Sequence, residues 1–106
     1  MLINKSYLES QKKWVVQLHG EIDIYNAPEL KKELERAIEI HPADMHVDCE
    51  HLAYIDSTGL GVLVSALKKL KEHGHQIIIS GLKPHIYKIF ELTDLNRLFV
   101  FEEESK

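Results

Sequence analysis

The sequence predicts an α/β fold in which a mainly parallel or mixed sheet of about five strands packs against helices, in the order β-β-α-β-α-β-α-β. Segments with apolar residues at every second position alternate with segments whose apolar residues recur at helical spacing. The run Ile77-Ile78-Ile79 is typical of a strand covered on both faces. Strands that alternate with helices are joined by right-handed crossovers, so we expect mostly parallel neighbours. The chain lacks linkers, repeats and low-complexity stretches, which predicts one domain over residues 1–106.

Strand signals fill the N-terminal third of the chain. A weak signal lies at Leu2-Ile3. A stronger one alternates with period two until Gly20 interrupts it, with Trp14, Val16 and Leu18 on one face and Val15, Gln17 and His19 on the other. Trp14 is therefore expected in the core or at its rim. Two more strands are predicted around Met45–Cys49 and at Leu98–Phe101.

Three segments carry helix signals. The first begins at Asn26-Ala27-Pro28-Glu29, where Asn26 can cap the helix and Pro28 suits the first turn, and it ends at His41-Pro42. The second runs from about Thr58 to His73, and the third begins at Pro84. Each has an apolar stripe that would face the sheet: Leu30, Leu34, Ala37 and Ile38, then Leu60, Leu63, Val64, Leu67 and Leu70, then Ile86, Ile89 and Phe90.

Composition and charge exclude several classes of partner. Lys and Arg number 13 against 17 Asp and Glu, a formal net charge of −4. This acidity argues against nucleic acid and against anionic membrane surfaces as partners, because both require a basic surface. The single cysteine, Cys49, alternates with apolar neighbours as a buried structural thiol would, and it suits a reducing compartment. The N-terminus carries no secretion signal and no apolar run approaches the ~20 residues of a membrane span, so we expect a cytoplasmic protein.

The segment Asp56-Ser57-Thr58-Gly59-Leu60-Gly61 places a serine at the start of the second helix. The first N–H groups of a helix lack intrahelical partners, and the helix dipole adds partial positive charge there. A phosphate on Ser57 would add about −1.5 to −2 charges beside those donors. Gly59 and Gly61 would let a phosphate or a partner approach the backbone closely. Two plainer interpretations stay open: Ser57 as a simple N-cap, and the glycines as a means of packing the helix closely on the sheet.

Two blocks in register resemble a known family. They are Gly20-Glu21-Ile22-Asp23-Ile24-Tyr25-Asn26-Ala27-Pro28 and, about thirty residues later, Tyr54-Ile55-Asp56-Ser57-Thr58-Gly59-Leu60-Gly61-Val62. Together they resemble the STAS-domain anti-sigma factor antagonists, most closely the antagonist of the general stress response, with the sporulation antagonist a near relative. The resemblance covers nearly the whole chain, and it implies the STAS fold.

The resemblance also implies a mechanism. The family's phosphoacceptor serine corresponds to Ser57, and its loop aspartate corresponds to Asp23. The unphosphorylated antagonist binds an anti-sigma factor that is also a serine kinase, and the sigma factor is released; phosphorylation by ATP ends the binding, and a PP2C-type phosphatase resets the protein. The residues implied at the partner interface are Asp23, Asp56, Ser57, Thr58, Gly59, Leu60 and Gly61, with Val62 and Ala66 as exposed neighbours. No metal, cofactor or enzymatic activity is expected.

Alternatives of other classes remain at this point. A non-switching STAS subunit of a lipid-transport ATPase or a sensory scaffold would need no phosphoacceptor, so the complete Asp56–Gly59 run disfavours it. A nucleotide-binding enzyme is disfavoured because no P-loop is present. Asp23 and Asp56 could form an acid–base pair, but no His or Cys falls within either motif, and the seven histidines show no zinc spacing. Family members usually add a helix after the last strand, and here that helix is expected to be short or missing.

Overall fold

The computed structural model describes residues 2–102, in which two consecutive strands are followed by three helices that alternate with three further strands. The strands are β1 Ile3–Leu8, β2 Lys13–Ile22, β3 Asp44–Ile55, β4 Ile77–Ser80 and β5 Val100–Glu102. The helices are α1 Ala27–Ile40, α2 Ser57–Lys71 and α3 Pro84–Leu92, and a short 3-10 turn lies at Leu95–Arg97. This order is the predicted β-β-α-β-α-β-α-β. The expectation of a short or missing C-terminal helix concerns residues 103–106, which lie outside the described part.

The strands form one mixed sheet in the order β1-β2-β3-β4-β5. β1 pairs with β2 antiparallel, and each later neighbouring pair is parallel. The parallel pairs follow from the helical crossovers, since a strand that returns through a helix re-enters the sheet in the same direction. The carboxyl ends of β2 and β3 therefore lie side by side, and the loops that follow these strands meet there.

One face of the sheet is buried beneath the helices. The inward residues of the strands and the apolar stripes of the helices form a single buried cluster. The opposite face is polar and partly exposed; its members include Gln17, His46 and Asp48. Ile77 and Ile79 are buried but Ile78 is only partly so, which corrects the expectation of a strand covered on both faces. The three helices among residues 2–102 cover one face only.

β2 and β3 are longer than their sequence patterns predict. β2 continues through Gly20, which takes the left-handed φ of +73° that glycine tolerates, and the pairing with β3 shifts register around it. β3 runs on from Cys49 to Ile55. Conversely, the last strand begins at Val100 rather than Leu98. Continued pairing with a neighbouring strand decides these boundaries, and a local pattern does not contain that information.

Two buried side chains agree with their predicted structural roles. Trp14 is 7% exposed, and its indole N–H donates to the backbone carbonyl of His41 at 2.8 Å, so its polar atom is satisfied at the edge of the core. Cys49 is buried, and burial, followed by the charge of Asp48, raises the pKa of its thiol to about 12. Such a thiol is protonated at neutral pH and unreactive. Within residues 2–102, the longest apolar helical stretch falls short of what a bilayer crossing requires.

Candidate functional site

The candidate site lies at the carboxyl ends of β2 and β3. The N–H of Asp56, directly after β3, donates to the carbonyl of Ile22, the last residue of β2, at 3.0 Å. This bond extends the parallel pairing of the two strands and joins the loop after β2 to the N-terminus of α2. Asp23 and Ser57, which are far apart in sequence, are thereby brought to the same edge of the sheet.

Asp56 is the N-cap of α2. Its Oδ1 accepts the N–H groups of Thr58 and Gly59 at 3.0 and 3.1 Å, and also the hydroxyl of Thr58. The Thr58 hydroxyl, followed by the backbone N–H groups of Gly59, Thr58 and Ile24, holds the pKa of Asp56 below its ordinary value of 3.8 despite some desolvation. Asp56 is therefore charged at neutral pH, beside Ser57.

Ser57 is the first residue of α2 and is exposed to solvent. Within residues 2–102 its hydroxyl makes no hydrogen bond to another protein group. Ser57 is therefore not the N-cap of α2. Asp56, the residue before it, supplies the oxygen that accepts the free N–H groups at the start of the helix. The Ser57 hydroxyl is left available to an incoming molecule.

The two glycines after Ser57 have different environments. A Cβ at Gly59 would lie 2.6 Å from Cγ1 of Ile55 and 2.7 Å from Cγ2 of Ile22, so this glycine lets α2 approach the sheet closely. A Cβ at Gly61 would meet nothing within 4 Å, and Gly61 is exposed. The close-packing interpretation thus holds at Gly59, and only Gly61 leaves backbone open to a partner.

A shallow surface groove adjoins Ser57 along α2. Leu60 lines it although only 3% of its surface is exposed, and its other lining residues include Gly61, Val64, Lys68 and Thr93. Leu60 therefore contributes mainly to the core and presents only its edge to the surface.

The expectation that Val62 and Ala66 are exposed is wrong. Val62 is 8% exposed and Ala66 3%, and both belong to the buried cluster. α2 lies against both the sheet and α1, so it buries a wider arc than the leucine stripe alone indicates.

The loop after β2 is built by Asp23 and Asn26. Oδ1 of Asp23 accepts the N–H of Tyr25 at 3.0 Å and that of Asn26 at 3.3 Å. Asn26 returns a bond, since its Oδ1 accepts the N–H of Asp23 at 2.8 Å. The predicted capping of α1 by the Asn26 side chain is therefore wrong: its oxygen is already used within the loop. Asp23 lies at the site edge, where its carboxylate shapes the loop.

This loop also presents two residues to which the sequence motifs assigned no individual role. Ile24 and Tyr25 are 61% and 91% exposed. Their apolar character points to a core position in a pattern analysis, and only the fold reveals that they face solvent. Among residues 2–102, no group of three or more His, Cys, Asp or Glu side chains is arranged to hold a metal ion.

We expect the charge of Asp56 to stabilise the fold in a pH-dependent manner. A carboxylate whose folded pKa is depressed contributes stability above its unfolded pKa and loses it as the pH falls through the folded value. Asp56→Asn keeps a capping oxygen but cannot be charged. Urea unfolding should therefore show the wild type more stable than Asp56→Asn at pH 7, with the gap narrowing below about pH 3.8.

Asp94→Asn is the control, because the Asp94 side chain makes no capping hydrogen bond. A gap between wild type and Asp56→Asn that widened on acidification would contradict this assignment of the charge.

Comparison with known proteins agrees with the geometry. Residues 6–106 match the STAS domain family. The chain is 34% identical over 106 residues to the anti-sigma-B factor antagonist of Staphylococcus aureus, a match that covers 100% of this chain and 98% of that protein.

Two solved structures share the fold. They are the anti-sigma factor antagonist SpoIIAA in its unphosphorylated form (TM-score 0.77, 17% identity, 97% of this chain and 89% of that chain) and the Bacillus cell fate determinant SpoIIAA in its phosphorylated form (TM-score 0.76, 18% identity, 98% and 92%). The family match and the full-length relative lead to one conclusion. The chain belongs to the STAS domain family, in the group that contains the anti-sigma-B factor antagonists.

Proposed function

We propose that the chain is a cytoplasmic anti-sigma factor antagonist, a single STAS domain whose partner binding is switched by phosphorylation of Ser57. The unphosphorylated form binds an anti-sigma factor and frees the sigma factor. That anti-sigma factor is also a serine kinase: the Ser57 hydroxyl attacks the γ-phosphorus of ATP, loses its proton, and ADP leaves. A PP2C-type phosphatase hydrolyses the phosphoserine and restores binding. The chain itself is a regulatory binding protein and not an enzyme.

The observation that carries this proposal is the free, exposed hydroxyl of Ser57 beside a helix N-terminus capped by another residue. A kinase can take Ser57 into its active site without breaking any hydrogen bond that the fold needs. Because Asp56 provides the cap, modification of the neighbouring hydroxyl leaves α2 intact.

The same geometry explains why phosphate would act on the surface and not on the fold. Asp56 already occupies the N–H groups of Thr58 and Gly59, so these donors are not free to neutralise a phosphate on Ser57. The added charge of about −1.5 to −2 would stand beside a charged carboxylate and face the partner. An interface shaped for a neutral hydroxyl would then suffer repulsion and desolvation.

The comparisons support the proposal. The full-length relative is an anti-sigma-B factor antagonist, and a protein of this fold is known in unphosphorylated and phosphorylated forms. Thr58 and Gly61 follow the serine on α2, and the Asp56–Ile22 backbone hydrogen bond joins the loop that holds Asp23 to the start of this helix, which supports an interface around Ser57. A chain that docks permanently on a transporter would have no use for the free hydroxyl.

Phosphoryl transfer is the direct test. The purified chain is incubated with ATP and the anti-sigma factor kinase of the same organism, and its intact mass is measured. We expect one added phosphoryl group on the wild type and on Ser6→Ala, and none on Ser57→Ala. Ser6 is the matched control because it is an exposed serine on β1, outside the proposed interface. An unmodified wild type would contradict the proposal and favour the non-switching subunit, and phosphate on Ser57→Ala would place the acceptor elsewhere.

A further inference from the structure

The loop between β2 and α1 exposes two adjacent large apolar side chains. Ile24 is 61% exposed and Tyr25 is 91% exposed, the highest value among the exposed large apolar residues of the described chain. A single exposed apolar residue is ordinary, whereas two adjacent large ones on a loop at a candidate site favour a contact surface. Tyrosine is also among the residues that most often dominate protein–protein binding energy.

The backbone beneath this pair is held in place. Four hydrogen bonds from two side chains define the loop: Asp23 accepts from Tyr25 and Asn26, and Asn26 accepts from Asp23 and donates to the carbonyl of Glu21 at 2.8 Å. The carbonyl of Asp23 also accepts the N–H of Ala27 at 2.8 Å. A loop ordered before binding loses less conformational entropy when it docks, so the two side chains are presented in a binding-ready arrangement.

The pair is continuous with the phosphorylation site proposed above. The backbone N–H of Ile24 contributes to the charge stabilisation of Asp56, the residue before Ser57. The carbonyl of Ile22, two residues earlier, accepts the N–H of Asp56. A partner that encloses the Ser57 hydroxyl would therefore reach Ile24 and Tyr25 at the same time.

The charges around the pair indicate what kind of surface it fits. The flanking ionisable side chains are acidic. Glu21 and Asp23 precede the pair in the chain, Asp56 accepts from the backbone N–H of Ile24, and Glu29 lies in the first turn of α1. A complementary partner would present an apolar pocket bordered by lysine or arginine side chains.

We propose that Ile24 and Tyr25 form an apolar anchor that inserts into such a pocket on the serine kinase. Of the two side chains, Tyr25 contributes most of the binding affinity of this anchor. This inference rests on the proposed function. The anchor acts as a binding element independent of the chemistry at Ser57, so its loss weakens docking and leaves the phosphoryl acceptor intact. Loss of the anchor would raise the KM of the chain as a kinase substrate and leave kcat unchanged.

The test compares Tyr25→Ala and Ile24→Ala with Ile40→Ala in calorimetric binding to the purified kinase. Ile40 is the matched control: it is a 68% exposed apolar residue at the opposite end of α1, about 20 Å along the helix axis. We expect Tyr25→Ala to weaken binding about 10- to 30-fold, Ile24→Ala to weaken it less, and Tyr25→Phe and Ile40→Ala to bind as the wild type does. Since the Tyr25 side chain is almost fully exposed, its removal should leave the urea midpoint unchanged.

The outcomes separate the two proposals. If the wild type is bound and phosphorylated while Tyr25→Ala and Ile24→Ala stay within about twofold of it, the anchor is overturned and the proposed function stands. If kcat falls while KM is unchanged, Tyr25 acts in the transfer step and the anchor is again overturned. A wild type that neither binds the kinase nor accepts phosphate overturns both.

Discussion

The chain phosphorylated on Ser57 and the variant Ser57→Asp should bind the anti-sigma factor kinase far more weakly than the wild type does. Ser57→Ala should bind the kinase as well as the wild type does. In the proposed complex, a phosphate dianion beside the Asp56 carboxylate would have to be desolvated at an interface that accommodates a neutral hydroxyl. A penalty of about 3 kcal/mol already weakens binding more than a hundredfold. The single charge of Ser57→Asp should weaken it at least about tenfold by the same reasoning.

Calorimetric titration of the kinase with each form checks this result. Ser6→Asp is the control, because it adds the same charge at an exposed position on β1. Circular dichroism and urea unfolding should show that all the variants keep the fold, as Ser57 is exposed and caps nothing. If Ser57→Asp and the phosphorylated chain bound as tightly as the wild type, the switch would not operate at this residue.

The second large effect concerns stability. Gly59→Ala should destabilise the domain by about 1–3 kcal/mol, because its methyl group would overlap Ile55 and Ile22, whose contacting atoms are close to their own backbone. Gly61→Ala, two residues further along the same helix, should instead stabilise it by about 0.5–1 kcal/mol, since alanine favours the helix and meets no atom within 4 Å.

Urea unfolding of the two variants beside the wild type measures both changes. The pair is informative because the substitution and the helix are the same, so the difference in sign isolates the contact with the sheet. Equal shifts for the two variants would mean that α2 does not lie as close to β2 and β3 as the structure indicates.

Much of the architecture was predictable because it depends on local periodicity. The apolar stripe of α1 and the alternation through Trp14 and Leu18 each predict an element and its buried face. Pro84 marked the start of α3 for the local reason that proline has no N–H to donate. The ends of β2 and β3 were missed because they depend on pairing with a distant strand.

The candidate site divides in the same way. Two sequence motifs indicated Asp23 and Ser57, and the resemblance to the STAS antagonists implied that both lie at the partner interface. The exposure of Ile24 and Tyr25 could not be predicted, because an apolar residue is by default expected inside. Only the folded loop, whose backbone is fixed by the hydrogen bonds of Asp23 and Asn26, shows that these side chains face solvent.

By itself, then, the sequence determined the element order, the helix faces and the position of a serine at a helix start, since all of these follow from residue types at short spacing. Tertiary structure alone decided that Gly59 is needed for packing and that the loop after β2 lies beside Ser57. These features arise where β2 meets β3 and where α2 meets the sheet. Contacts between segments some thirty residues apart depend on the three-dimensional arrangement and leave no periodic signal in the chain.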